Sequence, residues 1–289
     1  QRYAETTMVY RDEQSGELSG LSRVLSITQD DAHVFCREIQ IEKEAMAIWD
    51  IIETFYGSFG FNLQVRFSRH DPATPEKYLG GEEVWAKAEG ALQKLMETKG
   101  VTWIDGIGEA AFYGPKIDFI AKDSLGRVLQ VATIQLDFNQ PKNFGLYCIN
   151  EKGEREQVVM IHAAIMGSIE RFMSTLLEHL AGNFPTWLTP MQVAIVPVRE
   201  NHSEKAQELL KKFLAEDIRA EVLDDGNSLG KRIHAAKAER APYTIVLGDK
   251  EVEAGTVTIE KRDGSKIEGI TVEEFLKNII EEIRTKAQK

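Results

Sequence analysis

Thr28-Gln29-Asp30-Asp31-Ala32-His33-Val34-Phe35-Cys36 sets two carboxylates and an imidazole side by side, directly after the apolar run Val24-Leu25-Ser26-Ile27. Paired carboxylates next to a histidine can bind a metal or a ligand ammonium group. A lone histidine beside acids is also an ordinary surface hydrogen-bonding residue. Upstream, Gln14-Ser15-Gly16-Glu17-Leu18-Ser19-Gly20 has the composition of a polar loop between two strands. Downstream, Ile41, Ala45, Ile48, Trp49, Ile52, Phe55 and Tyr56 keep a helical period that Gly57 should stop. Phe61 to Phe67 alternates as a half-buried strand, and Val84, Trp85, Ala88, Leu92, Leu95 and Met96 mark a second helix. Two strands are expected at Lys116–Ala121 and Arg127–Leu136, with a turn at Lys122-Asp123-Ser124-Leu125-Gly126. A short apolar run from Gln157 to Ile161 precedes a helix over Ile165–Leu180.

The last hundred or so residues have another pattern. An apolar strand over Gln192–Val198 is followed by a helix around Leu209 and Phe213, then a strand at Ala220–Leu223. Ser228 caps a basic helix reaching Arg240. A third strand at Tyr243–Leu247, a hairpin from Gly255 to Ile267 turning at Asp263-Gly264, and a helix over Val272–Arg284 complete the chain. The β-α-β-α-β order implies a parallel or mixed α/β domain. Pro185 and Pro190 lie between the two patterns and disfavour a helix or strand interior there.

The 289 residues carry 35 Lys+Arg against 46 Asp+Glu, a net charge of −11. From Thr186 onward the balance is 17 against 19, so the excess of acid sits in the first part. With 43% hydrophobic residues the chain is too apolar for disorder, and no run approaches the ~20 residues of a membrane helix. Nucleic acid would have to meet a local basic patch, because phosphate binding needs clustered Lys and Arg. Two cysteines, Cys36 and Cys148, exclude a disulfide framework and a zinc ribbon, and suit a reduced, cytoplasmic setting. A start at Gln1 with no leader suggests a processed or truncated chain.

Two segments suit phosphate. Tyr10-Arg11-Asp12-Glu13 with Arg23 offers guanidinium forks beside carboxylates. Gly167-Ser168-Ile169-Glu170-Arg171 leads small residues into a helix with an arginine one turn later. Either segment alone also fits a surface ion pair. His162 fits a satisfied core imidazole. Val131, Thr133 and Gln135 alternate onto one strand face, and a buried Thr and Gln need partners, either a ligand or a cross-strand pair. Lys231, Arg232, Lys237 and Arg240 give a basic helix, a solvated face or an RNA contact.

In this order the segments resemble the class II aminoacyl-tRNA synthetases, and among them the threonyl enzymes. Arg2-Tyr3-Ala4-Glu5 through Gly16 and Arg23 is similar to motif 2, and His162 to Arg171 to motif 3. Thr28–Cys36 is the most specific stretch, since it separates the threonyl enzymes from prolyl relatives. Ala111–Asp118 with Gln135-Leu136-Asp137-Phe138 is a further match, and the part containing Gly248-Asp249-Lys250-Glu251 resembles the anticodon-binding domain. The resemblance implies an α+β protein: an antiparallel-sheet catalytic domain over residues 1–185, incomplete at its N-terminus, then an α/β anticodon-binding domain over 190–289.

The implied activity is threonine–tRNA ligation through threonyl-adenylate, with ATP, Mg, threonine and tRNA as partners, no membrane, and a homodimer in the full-length protein. Arg11 and Arg171 would be catalytic, with Arg11 at the α-phosphate and Arg171 on the adenine and triphosphate. Glu13, Arg23 and Gln130 would also bind ATP. Asp31 would take the threonine ammonium, with Tyr113, Lys116, Thr133, Gln135 and Ser168 around the pocket. His33 and His162 match two zinc ligands, and the family's third ligand, a Cys, falls upstream of Gln1. Such a zinc would reject valine, which lacks the hydroxyl. Arg232, His234 and Glu251 would contact tRNA. Four places depart from the family pattern: Ala163 and His234 and Glu260 stand where Arg is usual, and Leu25-Ser26-Ile27 where Arg-Gly-Phe is usual. A synthetase-like paralogue that binds tRNA or a small ligand without charging is the alternative.

Overall fold

The computed structural model describes residues 1–122, 126–224 and 226–287. Within these the chain divides into two compact units, Gln1–His179 and Leu180–Lys289. The expected turn residues Asp123, Ser124 and Leu125 lie outside the described residues.

The first unit contains β1 (Arg2–Tyr10), β2 (Ser26–Cys36), α1 (Ile41–Gly57), β3 (Gln64–Arg69), α2 (Glu82–Lys99), β4 (Trp103–Ile107), β5 (Lys116–Lys122) and β6 (Val128–Asp137). α3 (Asn139–Asn143), β7 (Tyr147–Ile149), β8 (Arg155–Gln157), β9 (Val159–Ala164) and α4 (Ile169–Leu180) follow. Its main sheet has the order β1-β2-β9-β6-β5-β3-β4. Every pairing in it is antiparallel except β3 with β4. This is the expected antiparallel catalytic-type sheet.

Strand alternation divides the sheet into two faces. One is buried by the apolar sides of α1 and α2, where Trp49 and Phe119 meet edge to face at 4.9 Å. Trp49, Ile52, Tyr56, Leu92, Leu95, Met96, Phe67, Ile134 and Leu136 are all nearly or fully buried there. Each such side chain contributes about 1.5–3 kcal/mol by leaving water. The Tyr56 hydroxyl lies 2.9 Å from the carbonyls of both Val131 and Ile165 and shares its one proton between them, which ties α1 to β6 and to the loop after β9. The opposite face is left for polar side chains.

Several boundaries move. The specific stretch Thr28–Cys36 is itself strand, inside β2, rather than the sequel to one. Gly57 is the last residue of α1 and does not stop it by a left-handed turn; that conformation falls to Gly60, at φ 76°. The expected strand at Phe61–Phe67 becomes Gln64–Arg69, because the Phe61 amide returns to the Tyr56 carbonyl at 3.1 Å. His162 lies within β9, not at a strand-to-helix junction, and α4 begins at Ile169 rather than Ile165.

The second unit contains β10 (Val193–Pro197), α5 (Ser203–Ala215), β11 (Ala220–Val222), α6 (Leu229–Ala238), β12 (Tyr243–Leu247), α7 (Asp249–Ala254), β13 (Thr256–Lys261), β14 (Lys266–Thr271) and α8 (Val272–Arg284). β10 pairs in parallel with β11 and β12, while β12, β13 and β14 are antiparallel, so the sheet is mixed. Its core gathers Val193, Ile195, Phe213, Ile245, Ile259, Phe275 and Ile279. No helix among the described residues is long and apolar enough to cross a membrane.

Candidate active site

A cleft of ≈190 Å³ opens on the polar face of the first sheet. Arg11, Glu13, Arg23, Gln130, Thr133, Gln135, Ser168 and Arg171 line it together with Gln29 and Ile27. Eight of the residues singled out in the sequence are thereby brought into one concavity.

One wall is cationic. The Arg11 amide donates to the Leu25 carbonyl at 2.8 Å, which closes the loop between β1 and β2. Arg23 binds Glu13 at 2.8 Å, and that hydrogen bond holds Glu13 below the usual carboxylate range. The Arg171 side chain donates through Nε to the Ser22 carbonyl at 3.0 Å. Burial, then the charges of Arg11 and Arg23, pulls the Arg171 guanidinium below its ordinary value. Arg11 and Arg23 converge on Arg171, with Arg23 itself paired to Glu13 and to Glu17 at 3.0 Å, and this cluster of guanidinium groups suits a polyphosphate. The start of α4 adds to this field. Ser168 caps that helix: its carbonyl accepts from the Phe172 amide at 2.9 Å and its Oγ from the Arg171 amide at 3.2 Å.

Glu170 fixes the same corner. Its carboxylate accepts from the Thr28 amide at 3.0 Å and from the Ser168 hydroxyl at 2.9 Å. Burial alone would raise its pKa, but the hydrogen bonds outweigh burial and the group lies below its ordinary value. A depressed folded pKa gives stability that is present above the unfolded value of ~4.3 and is lost as pH falls through the folded value. Thermal unfolding of the wild type and Glu170→Gln should therefore differ at pH 7 and converge towards pH 3.

The opposite wall is neutral and polar at Thr133 and Gln135, with Tyr113 and Lys116 behind it rather than among the lining residues. The Thr133 hydroxyl donates to Asp118 at 2.9 Å, and Gln135 accepts the Tyr113 hydroxyl. Both therefore take the cross-strand or neighbouring partner that burial demands. Desolvation, then the charges of Asp137 and Asp31, pushes the Tyr113 phenol up to about 12. Lys116 lies 3.3 Å from Asp118.

The row across the strands was hidden in the sequence. His33 on β2 sits opposite His162 on β9, His162 opposite Gln135 on β6, and Gln135 opposite Lys116 on β5. The two imidazoles meet at 4.8 Å between centroids, and Tyr113 lies 4.9 Å from His162. His162 Nε2 is 3.0 Å from the fully buried carboxylate of Asp137. A carboxylate only accepts, so in the neutral ring Nε2 carries the proton and Nδ1 keeps its lone pair. That pre-orients one nitrogen for a metal. Among the described residues no group of three His, Cys, Asp or Glu side chains could hold a metal ion.

Of the two adjacent carboxylates, Asp30 turns away and accepts the Ile165 and Met166 amides at 2.8 and 3.2 Å. Asp31 alternates with Gln29 and His33 along β2. Gln29, Asp118 and Asp137 carried no assignment in the sequence. The period of two from Asp31 was a signal for Gln29, whereas the other two depend on sheet register. At the family-pattern departures, Ile27 lines the cleft and Ala163 is buried in β9.

In the second unit Arg232 and His234 lie on α6 and Glu251 on α7. Arg232 donates to the Pro197 carbonyl at 2.6 Å and is partly buried. His234 is exposed on α6. Glu251 accepts from the Gly248 amide at 3.1 Å and from the Thr258 hydroxyl at 2.9 Å, which caps α7. Glu251→Ala should cost about 1 kcal/mol by removing that cap, measured by denaturant unfolding. Glu260 pairs with Lys237 at 2.7 Å, which offsets its charge. Ser228 is the N-cap residue of α6, which runs from Leu229 to Ala238 rather than to Arg240, but its side chain makes no capping hydrogen bond.

Residues 1–180 match the model of the tRNA synthetase class II core domain (G, H, P, S and T), and residues 192–282 match an anticodon binding domain. Over 282 residues the chain is 44% identical to a threonine–tRNA ligase of Thermotoga petrophila, covering 98% of this chain and 43% of that one. A threonine–tRNA ligase of Phocaeicola vulgatus is 44% identical over 289 residues, 45% of its length. The chain therefore spans less than half the length of these curated relatives. Among solved structures, the RNA binding domain of threonyl-tRNA synthetase from Cryptosporidium parvum superposes with a TM-score of 0.87 at 33% identity, covering 96% of this chain and 69% of that one.

Proposed function

We propose, from the premise that this chain belongs to the class II tRNA synthetases of the G, H, P, S and T group, that its cleft joins threonine to ATP and hands the acyl group to tRNA. The observation that carries this reading is the meeting of a three-arginine wall with a neutral polar wall in one cleft. The threonine carboxylate attacks the α-phosphorus of ATP, an acyl–phosphate bond forms and pyrophosphate leaves. The 3′-terminal hydroxyl of tRNA then attacks the acyl carbon, and AMP leaves. Arg11 meets the charge that grows on the α-phosphate. Arg23 and Arg171 hold the outer phosphates and the adenine, with Glu13 and Gln130 at the base and Ile27 as an aliphatic platform. Mg, bound with ATP, shares the phosphate charge.

Asp31 takes the threonine ammonium, and Tyr113, Lys116, Thr133, Gln135, Ser168 and Gln29 frame its side chain; of these Gln29, Thr133, Gln135 and Ser168 line the cleft itself. His33 and His162 would hold a zinc ion whose third protein ligand this sequence does not contain. When bound, the zinc supplies a Lewis acid for the amino and hydroxyl groups of threonine. The functional division places the catalytic domain at 1–185 and the anticodon-binding domain at 190–289, with Arg232, His234 and Glu251 toward tRNA. The longer protein works in the cytoplasm as a homodimer.

The test is ATP–pyrophosphate exchange with threonine against serine and valine. Threonine-dependent exchange is expected, and its absence sinks the reading. A non-charging paralogue is the second reading, favoured by Arg232 being spent on the Pro197 carbonyl and Glu260 standing at 2.7 Å from Lys237. Normal charging of threonine tRNA eliminates it.

A further inference from the structure

Asp118 on β5 is fully buried, yet its carboxylate collects five polar groups. Oδ1 accepts from Gln130 Nε2 and Thr133 Oγ1, both at 2.9 Å. Oδ2 accepts from Ser68 Oγ at 2.7 Å and Arg66 Nη2 at 3.0 Å, with Lys116 Nζ at 3.3 Å. Two of these partners, Gln130 and Thr133, also line the cleft, whereas Asp118 does not. A buried ion pair is a poor source of net stability, so this much polar investment calls for another role.

We propose, resting on the reading above, that Asp118 is a positioning residue that fixes the hydrogen-bond polarity of the amino-acid wall. A hydroxyl has one proton, and a carboxylate can only accept it. Thr133 therefore spends its proton on Asp118 and faces the cleft as an acceptor. Gln135 spends its carbonyl oxygen on the Tyr113 hydroxyl, so its NH₂ faces the cleft as a donor. The wall thus offers one acceptor beside one donor, the complement of a side chain whose hydroxyl gives and takes. An Asn at position 118 keeps the shape but turns an NH₂ to one side of the cluster. Facing Thr133, that NH₂ would push the hydroxyl proton into the cleft and invert the wall. Facing Ser68, Arg66 and Lys116, it would oppose three donors. Valine has no hydroxyl to satisfy the acceptor, so the same device works against it.

The experiment measures pyrophosphate exchange by the full chain for wild type, Asp118→Asn, Thr133→Val, the double variant and Ser68→Ala. Asp118→Asn should raise the threonine KM about 10–100-fold. The ATP KM should rise less than the threonine KM, because Arg11, Arg23 and Arg171 are untouched and Gln130 is the one proposed ATP contact that bonds Asp118. The double variant should be no worse than its more impaired parent, as expected for residues acting as one unit. Ser68→Ala removes a tether on the side away from the cleft and should shift the threonine KM about 2–5-fold in the same direction. Equal shifts in both KM values, or additive losses, overturn the inference. If Asp118→Asn does not fold, an unchanged threonine KM in Ser68→Ala overturns it. If the wild type shows no threonine-dependent exchange, the functional reading falls and the polarity claim is judged by NMR. A slowly exchanging Thr133 hydroxyl proton is expected in wild type and absent from Asp118→Asn; its absence from wild type also overturns the inference.

Discussion

Arg171→Ala should lower threonine-dependent pyrophosphate exchange about a thousandfold, through both a higher ATP KM and a lower kcat. Removing one preorganised donor from a site of developing charge typically costs ~10²–10³ in rate. Arg171 should lie at the upper end because its guanidinium is half-buried and locked onto the Ser22 carbonyl. No reorganisation is needed when phosphate arrives. Its pKa is pulled down by burial and then by Arg11 and Arg23. Arg171→Lys should recover less than about tenfold of the loss, since a point charge cannot both reach Ser22 and fork onto phosphate. Steady-state exchange kinetics on the two variants check this, and a loss below about tenfold for Arg171→Ala would remove the residue from the chemistry.

Gly114→Ala should destabilise the first unit by about 3 kcal/mol and abolish measurable threonine binding. A Cβ there would lie 2.0 Å from the Leu136 carbonyl oxygen and 3.0 Å from its carbon, both backbone atoms of β6. Backbone in the middle of a sheet cannot swing aside as a side chain can. The neighbouring amide of Leu136 bonds the Pro115 carbonyl at 3.0 Å, so separating the strands costs that contact too. Tyr113 and Lys116 flank the glycine and would move with it, which takes the Tyr113–Gln135 bond out of the cleft wall. Thermal unfolding and threonine titration of the variant measure both effects. A stable variant with normal threonine affinity would show that this close approach does not matter.

The helices and the mixed second sheet were legible because burial there follows simple periods. Trp49, Ile52 and Tyr56 recur on one side of α1, and Val193–Pro197 is buried throughout. The edge strands were not. In β1, Arg2 to Thr6 are all exposed, so alternation marks only its end, where Thr7 and Val9 are half-buried and Met8 and Tyr10 exposed. β4 is a short strand with Ile104 and Ile107 exposed, and its apolar residues do not keep a period of two. Phe61 misled because a residue packed after a helix end looks like the first residue of a strand. Family resemblance nominated most cleft residues one by one, but it could not supply their register. That His33, His162, Gln135 and Lys116 form one row depends on the order β2-β9-β6-β5, which joins strands distant in sequence. Asp118 was invisible for the same reason: its partners come from β3, β5 and β6.

The central claim is that one cleft holds the aminoacyl and nucleotide parts of an adenylate at once. Calorimetric titration with a non-hydrolysable threonyl-adenylate analogue tests it, with Arg171→Ala and Thr133→Val alongside. Micromolar or tighter binding is expected for wild type, at least about 100-fold weaker in Arg171→Ala and about 10-fold weaker in Thr133→Val. Absence of binding by the wild type, or equal affinity in all three proteins, would contradict the account.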